Sequence, residues 1–166
     1  MSAPQAREVA ADRGVRRARE RDLGAVVDLW IAITRHHEAA DPLFTLRPDA
    51  RGEVERLVRA MWSDPDVALF VWEDRRGVAG LCIVRVDRAP PILEEDRRAE
   101  ITDLMVETEH RRGGIGSALV RRAIAWVEEQ GVRRVEVRVA SRNPEGQAFW
   151  RAKGFGDLMD VLQKRL

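Results

Sequence analysis

Apolar residues along the chain recur with two different periods, and the change between them predicts where helices and strands lie. After Asp22, an expected N-cap, they repeat every three or four residues, which places them on one helix face. The same spacing returns further along the chain, and Gly131 follows the longest such run as a natural C-cap. Helices are therefore predicted at 23–37, 51–62, 115–130 and 144–153.

Strands are predicted where β-branched and alternating apolar residues replace the helical spacing. They are expected at 15–18, 67–73, 78–86, 99–107, 134–139 and 155–166. The turn at 74–77 makes an antiparallel hairpin of the second and third strands. The fourth strand, the long helix and the fifth strand form a β-α-β unit with parallel strands. The order β-α-α-β-β-β-α-β-α-β indicates a single domain over 14–166, preceded by a disordered leader over 1–13.

Composition narrows the class of protein. A chain of 166 residues, 45% apolar and 34% charged, is large enough for one buried core. It contains no apolar run of the roughly 20 residues that cross a membrane. Its lone cysteine, Cys82, fits a cytoplasmic, reducing compartment and is expected in the core. The 29 basic residues are interleaved with 28 acids, which argues against a nucleic-acid partner.

The segment 106–116 carries the candidate chemistry, because a strand there gives way to a basic, glycine-rich turn and a long helix. Free backbone N–H groups and the positive end of the dipole meet at a helix start. Glycines let the backbone approach a bulky anion, and Arg111 and Arg112 add positive charge. We expect a diphosphate site here. A glycine-rich turn before a helix also occurs without any ligand.

Two other phosphate-binding motifs fit this turn poorly. A P-loop requires Gly-Lys-Ser/Thr, which residues 115–117 do not supply. A dinucleotide fingerprint requires a third glycine, and Leu119 stands there instead.

Two motifs together resemble the GCN5-related N-acetyltransferase (GNAT) superfamily. Residues 111–116, Arg-Arg-Gly-Gly-Ile-Gly, fit its Gln/Arg-x-x-Gly-x-Gly/Ala signature, and Asn143 to Phe155 is similar to its later Asn, Ala, aromatic, Gly-Phe motif. The resemblance covers about nine-tenths of the chain. It implies an α/β (α+β) fold with a central mixed, mostly antiparallel sheet, a V-shaped splay between strands 4 and 5, and about four flanking helices.

The resemblance also implies acetyl-CoA as cosubstrate and no metal. The cofactor-binding residues it implies are Leu104, Met105, Val106, Arg111, Arg112, Gly113, Gly114, Ile115, Gly116, Ser117, Asn143 and Trp150. An N–H near Met105 or Val106 would polarise the thioester carbonyl. Core packing of the strand and a turn at Asn143-Pro144 are the alternative interpretations of these residues.

By the same resemblance, the acetyl group passes to a primary amine of a small molecule or protein, by direct attack in a ternary complex. The base candidates are Glu100, Asp103 on the opposite strand face, Glu136, or a water chain. The family usually has tyrosine as the acid where this chain has Trp150, and the sequence contains no tyrosine. A non-catalytic acyl-CoA sensor therefore stays open as an alternative.

The sequence says less about the acceptor and the assembly. The acceptor is expected over the first helices and the loops 38–50 and 87–98, with His36, His37, Glu38, Asp41, Phe44 and Trp62 as candidate walls. The two histidines equally suit a helix C-terminus as cations, and His110 is expected to be a surface turn residue. A homodimer is compatible with the sequence, as is a monomer.

Overall fold

The computed structural model describes residues 14–39 and 41–164, so the predicted leader over 1–13 lies outside the described residues. The elements, in chain order, are β1 Val15–Arg17, α1 Leu23–Glu38, α2 Ala50–Trp62, β2 Val67–Asp74, β3 Gly77–Arg88, β4 Arg97–Val106, α3 Ile115–Glu129, β5 Val135–Val137 and α4 Pro144–Ala152. Short 3₁₀ turns lie at Glu20–Asp22, Pro42–Phe44 and Thr108–His110. The predicted order of elements is confirmed up to α4.

The described strands form one five-stranded sheet in the order β1-β2-β3-β4-β5. The first three pairings are antiparallel and only β4 with β5 is parallel. This confirms the predicted mixed, mostly antiparallel sheet flanked by four α-helices. No helix in the described part of the chain is both long and apolar enough to span a bilayer.

Two apolar layers hold the helices against the sheet, one on each face. On one face α3 packs through Leu119 and Trp126 onto Phe70 and Cys82. On the other face, Val26 of α1 and Val58 of α2 pack in the layer that covers the sheet residues Leu69, Leu81 and Met105. Cys82 is fully buried, as predicted, and burial raises the pKa of its thiol.

Asp22 precedes α1 as predicted, but it does not cap the helix through its side chain. Its carboxylate instead accepts hydrogen bonds from Arg16 Nη1 and Nη2, at 2.7 and 2.8 Å, and from the Arg19 backbone N–H at 2.8 Å. Arg16 also donates to Glu73 at 2.6 Å. Asp22 is thus the N-cap residue by position, but its carboxylate is engaged by Arg16 and the Arg19 N–H, and Arg16 in turn links β1 to β2 through Glu73.

The predicted sixth strand is absent from the described residues after α4. Gly154 takes a φ of 88° and turns the chain out of the helix, and Arg151 holds Asp157 at 2.8 Å close to the helix end. The apolar residues beyond remain exposed; they are Leu158, Met159, Val161 and Leu162. Alternating sequence alone does not make a strand here, because no neighbouring strand supplies hydrogen bonds.

We predict that Asp22→Asn lowers the free energy of unfolding by about 2 kcal/mol at pH 7, since charge-assisted bonds to a buried carboxylate are lost. The Arg16 hydrogen bonds lower the pKa of Asp22, more than burial raises it. The wild-type advantage is therefore present above the unfolded pKa of about 3.9 and is lost as pH falls through the lower folded pKa. Urea titrations at pH 7 and pH 3 measure this, and an equal gap at both would contradict it.

Candidate active site

The parallel pairing of β4 with β5 is short, and the two strands part after it. The two strands pair over three residues each: residues 99–101 of β4 lie beside residues 135–137 of β5. Beyond Ile101, β4 continues to Val106 while β5 ends. This is the predicted V-shaped splay, and it leaves one edge of the second half of β4 open.

Hydrogen-bond alternation along β4 decides which amides face this opening. The Glu107 N–H donates to a carbonyl of β3 at 2.9 Å, so the Met105 amide points toward β3 as well. The backbone amides of Leu104 and Val106 then point away from β3, toward the opening. Consistent with this, the Val106 carbonyl accepts from Arg111 Nε at 3.1 Å. Of the two backbone amides that the sequence offers for the thioester carbonyl, those of Met105 and Val106, the Val106 amide therefore faces the open edge.

The loop between β4 and α3 presents backbone N–H groups toward the same end of the opening. Arg112 takes a left-handed φ of 63°, and Gly114, at the N-cap of α3, takes 85°. The first helical hydrogen bond runs from Ala118 N to Gly114 O at 3.0 Å. The amides of 115–117 precede it and have no partner within the helix. The loop thus has the donors that a diphosphate requires.

Glycine at position 116 keeps the start of α3 close to its neighbours. A Cβ there would lie 3.6 Å from the Phe149 ring and 3.9 Å from a Leu104 methyl. Helix α3, helix α4 and β4 therefore converge at Gly116, and any larger side chain would project into the space between them.

Asn143 and Trp150 have structural contacts of their own. The Asn143 side chain accepts from the Gly146 N–H at 2.9 Å and so caps α4. Trp150 is 8% exposed and packs edge-on against Phe149 and Phe155, with ring centroids 5.2 and 5.1 Å away. The aromatic pair of the second motif thus belongs to the core on the α3 face.

A β-bulge in β4 changes the predicted arrangement of the acids. Asp103 pairs with Ile83, and Ile101 pairs with the next residue of β3, so Thr102 has no opposite residue. The extra residue resets the alternation of side chains. Glu100 and Asp103 consequently lie on the same face, the one covered by α1 and α2, and the prediction that they face opposite ways was wrong.

Asp103 lies in an environment that disfavours its charge. Burial raises the pKa of this carboxyl first, and the negative charge of Glu100 raises it further. A hydrogen bond with Thr102 and the charge of His37 act in the opposite direction. The pKa of Asp103 is therefore raised above the usual range of an aspartate, the direction that makes a carboxylate a better proton acceptor.

Glu100 is more deeply buried but is neutralised by arginines. It is 6% exposed, with one oxygen 2.9 Å from Arg85 Nη2 and the other 3.3 Å from Arg138 Nε. Glu136, the third base candidate, is likewise engaged, at 2.7 Å by Arg98 and at 3.2 Å by a second arginine. Both glutamates are parts of ion pairs that link β3, β4 and β5.

The end of α1 lies beside Asp103. The His37 ring packs against Phe44 with centroids 5.3 Å apart. The pKa of His37 is lowered by burial and then by the positive charges of His36 and Arg111, while Asp103 raises it. The imidazole therefore lies within electrostatic reach of both the acid and the loop. This brings two of the predicted acceptor walls, His37 and Phe44, to the Asp103 side of the sheet.

The bulge and the arginine partners of Glu100 were missed from the sequence. One signal was available for the bulge. The apolar residues on the α3 face are Ala99, Ile101, Leu104 and Val106, so their spacing of two is interrupted once by a spacing of three. No comparable pattern marks the two arginines, since Arg85 lies in β3 and Arg138 directly follows β5.

An opened parallel strand pair, followed by free amides at a helix start, is an arrangement of α/β proteins that can accept an anionic group at the helix end. The model of the acetyltransferase (GNAT) family matches residues 30–155 of this chain. The chain belongs to that family, which confirms the resemblance found in its two motifs.

Similar proteins agree with this assignment. A mycothiol acetyltransferase of Clavibacter sepedonicus is 27% identical over 139 residues, which are 83% of this chain and 42% of that protein. The structure of a tetramutant of the BH1408 protein of Bacillus halodurans has a TM-score of 0.80 at 19% identity, covering 92% of this chain and 99% of that one. A predicted acetyltransferase of Clostridium acetobutylicum, solved with acetyl-CoA, has a TM-score of 0.73 at 17% identity over 91% of this chain and 94% of that one. The chain spans less than half the length of the curated relative.

The contrast between the two acids predicts opposite effects on stability. Glu100→Gln should lower the free energy of unfolding by about 1 kcal/mol at pH 7, because it weakens the ion pairs with Arg85 and Arg138. The loss is modest because both arginines are exposed to solvent. Asp103→Asn should leave stability equal or raise it, since a carboxyl with a raised folded pKa destabilises the fold once pH rises through that pKa. Paired thermal melts at pH 7 check both. A marked loss of stability in Asp103→Asn would contradict the environment described for it.

Proposed function

We propose that this protein is an acetyl-CoA-dependent N-acetyltransferase that moves an acetyl group to a primary amine of a small molecule or a protein. The observation that carries the proposal is the opening between β4 and β5, which leads directly to the free amides at the start of α3. Membership of the acetyltransferase (GNAT) family supports it, as does the similar Clostridium acetobutylicum protein solved with acetyl-CoA.

The residues of the opening fit the parts of acetyl-CoA. The amides of 113–117 would hold the diphosphate, and Arg111 and Arg112 would add charge at its rim. The backbone of Leu104 and Val106 would pair with the pantetheine arm, as a strand pairs with its neighbour. Asn143 and Trp150 would border the arm from α4, Asn143 with its amide and Trp150 through the packing of its aromatic neighbours.

The transfer requires one bond to form and one to break. The unprotonated amine attacks the thioester carbonyl, the new C–N bond forms, and the C–S bond breaks with departure of the CoA thiolate. The Val106 N–H faces the opening and would donate to the developing oxyanion. The amine in the meantime gives a proton to a base, and the products are the acetylated amine and CoA. Direct attack in a ternary complex requires no covalent enzyme intermediate.

Asp103 is the better placed of the two carboxylates for the role of base. A general base needs a free lone pair and a pKa near the operating pH. Asp103 has the raised pKa, whereas Glu100 has an arginine on each oxygen. We therefore assign proton acceptance to Asp103, directly or through a water, and a positioning role in the strand to Glu100.

The acceptor would enter over the face that carries Asp103. His37 and Phe44 form part of its wall, next to the Pro42–Phe44 turn. A small-molecule amine and an exposed protein amine both suit this position. The proposed enzyme acts in the cytoplasm, where acetyl-CoA is available, and we keep the homodimer as a hypothesis to be tested by its mass in solution.

A second function, a non-catalytic acyl-CoA sensor, is favoured by one observation. The chain contains no tyrosine, and Trp150, at the position of the family's tyrosine, is buried among aromatic rings. Such a protein would bind acetyl-CoA without releasing thiol in the presence of any amine. Thiol release measured over a panel of amines therefore separates the two functions.

The binding step has a test with a matched control. Gly114→Ala and Gly131→Ala both place a side chain at a left-handed φ, 85° and 72° respectively, and each should cost about 1 kcal/mol of stability. Only Gly114 lies in the diphosphate loop. We expect acetyl-CoA to raise the Tm of the wild type and of Gly131→Ala, and to protect Gly114→Ala much less. No shift of the wild-type Tm at millimolar acetyl-CoA would refute the proposed function.

The catalytic step is tested by comparing the two acids. Asp103→Asn should lower kcat by roughly 100-fold with little change in the Kd of acetyl-CoA, because general-base assistance contributes at least that much. In the wild type, kcat should rise with pH through the raised pKa of Asp103, and this rise should disappear in the variant. Glu100→Gln, which removes a carboxylate charge from the same face, is the control and should keep the rise. If Glu100→Gln flattens the profile and Asp103→Asn does not, the assignment is reversed.

A further inference from the structure

His110 lies between two carboxylates immediately before the diphosphate loop. Its Nε2 is 3.5 Å from Asp74 Oδ2, and its Nδ1 is 3.4 Å from Glu107 Oε2. The ring also packs on Trp72, with centroids 5.7 Å apart, and the side chain is only 18% exposed. His110 lies in the expected turn, but its side chain is largely covered, because β2 supplies Trp72 and Asp74 and the start of the turn supplies Glu107.

Asp74 is a fixed partner for this histidine. It ends β2, and its Oδ1 accepts from the Arg76 backbone N–H at 2.7 Å, which holds the carboxylate in the turn of the β2–β3 hairpin. This backbone hydrogen bond is the main cause that lowers the pKa of Asp74, and His110 lowers it further. The other oxygen of this carboxylate thus faces His110 from the turn of the hairpin.

The position of His110 determines the path of the loop that follows. His110 ends the Thr108–His110 turn, whose last hydrogen bonds run from the His110 N–H to Glu107 O at 2.9 Å and from the Arg111 N–H to Thr108 O at 3.3 Å. The chain then bends back at Arg112, so that a Cβ on Gly113 would lie 3.4 Å from the His110 carbonyl. A displacement of His110 therefore moves the amides that begin α3.

We propose that His110 is a positioning residue for acetyl-CoA binding, which anchors the diphosphate loop to the β2–β3 hairpin through Asp74. The inference rests on the proposed function, since it concerns how the same loop is kept ready for its ligand. His110 touches no reacting group. Its contribution is preorganisation, because a loop that is already ordered loses less conformational entropy when the ligand binds.

A double-mutant cycle tests this anchor in the full chain. His110→Ala should raise the Kd and KM of acetyl-CoA by about tenfold, because small misplacement of binding groups is costly. The kcat at saturating acetyl-CoA should stay within about twofold of the wild type, as binding and not chemistry is affected. Asp74→Ala should raise the Kd of acetyl-CoA in the same way. In the double variant, the fold-increase in Kd should be smaller than the product of the two single fold-increases.

Substitutions at neighbouring residues, which leave His110 and Asp74 in place, serve as controls. Glu109→Gln alters the adjacent residue of the same turn, and Arg75→Ala alters the residue next to Asp74. Both should bind acetyl-CoA within about twofold of the wild type, as expected for exposed side chains. His110→Gln retains a side-chain donor and should recover part of the affinity lost in His110→Ala. Independent, fully multiplicative effects in the cycle, or an unchanged Kd in His110→Ala, would overturn the proposal.

A measurement without cofactor separates this inference from the proposed function. Hydrogen exchange of the ligand-free protein should show faster exchange of the His110 and Arg111 amides in Asp74→Ala than in Arg75→Ala, because the turn that protects them is released. Equal exchange in the two variants counts against the anchor whether or not acetyl-CoA binds. If the wild type fails to bind acetyl-CoA while the exchange difference is present, the proposed function and the role of His110 in binding are refuted, and only the structural anchor between His110 and Asp74 stands.

Discussion

The unpaired edge of β4 is the constraint on which the site depends. Backbone N–H and C=O groups are obligatory hydrogen-bonding groups, and a strand edge inside a fold must find partners for them. Here the pairing with β5 ends at Ile101, and the amides of Leu104 and Val106 face the gap. An extended ligand that carries amide groups of its own can complete the sheet at this edge. The same strand leads into the α3 loop, so one backbone run offers both strand-like pairing and anion-binding amides.

The bulge at Thr102 gives two neighbouring acids different chemistry. It brings Glu100 and Asp103 to one face of the sheet. Arg85 and Arg138 form ion pairs with Glu100, while burial and, after it, the negative charge of Glu100 raise the pKa of Asp103. A single inserted residue thus places an arginine-paired carboxylate and a carboxyl with a raised pKa on the same face. Position along the strand alone does not distinguish the two acids.

Local features of the fold were predictable from the sequence, and features set by distant contacts were not. The helices and the glycine turn at 113–116 follow from spacing within each segment. The predicted strand after residue 155 failed because pairing needs a neighbour, which alternation cannot supply. The gap between Ile101 and Leu104 could have revealed the bulge, as a break in a period of two. The contacts of His110 with Asp74 could not have been found, since they join segments more than thirty residues apart.

The missing tyrosine costs the proposed reaction less than a missing base would. A thiol has a pKa of about 8.5, so a thiolate can leave near neutral pH without prior protonation. An alkylamine has a pKa of about 10.4 and is almost entirely protonated at the same pH. The more demanding proton transfer is therefore the one from the amine, which we propose to be the role of Asp103. Where the family usually has tyrosine, Trp150 cannot donate a proton to the departing thiolate. Its large ring instead belongs to the core on the α3 face. Solvent can then return the proton to the thiolate after the C–S bond has broken.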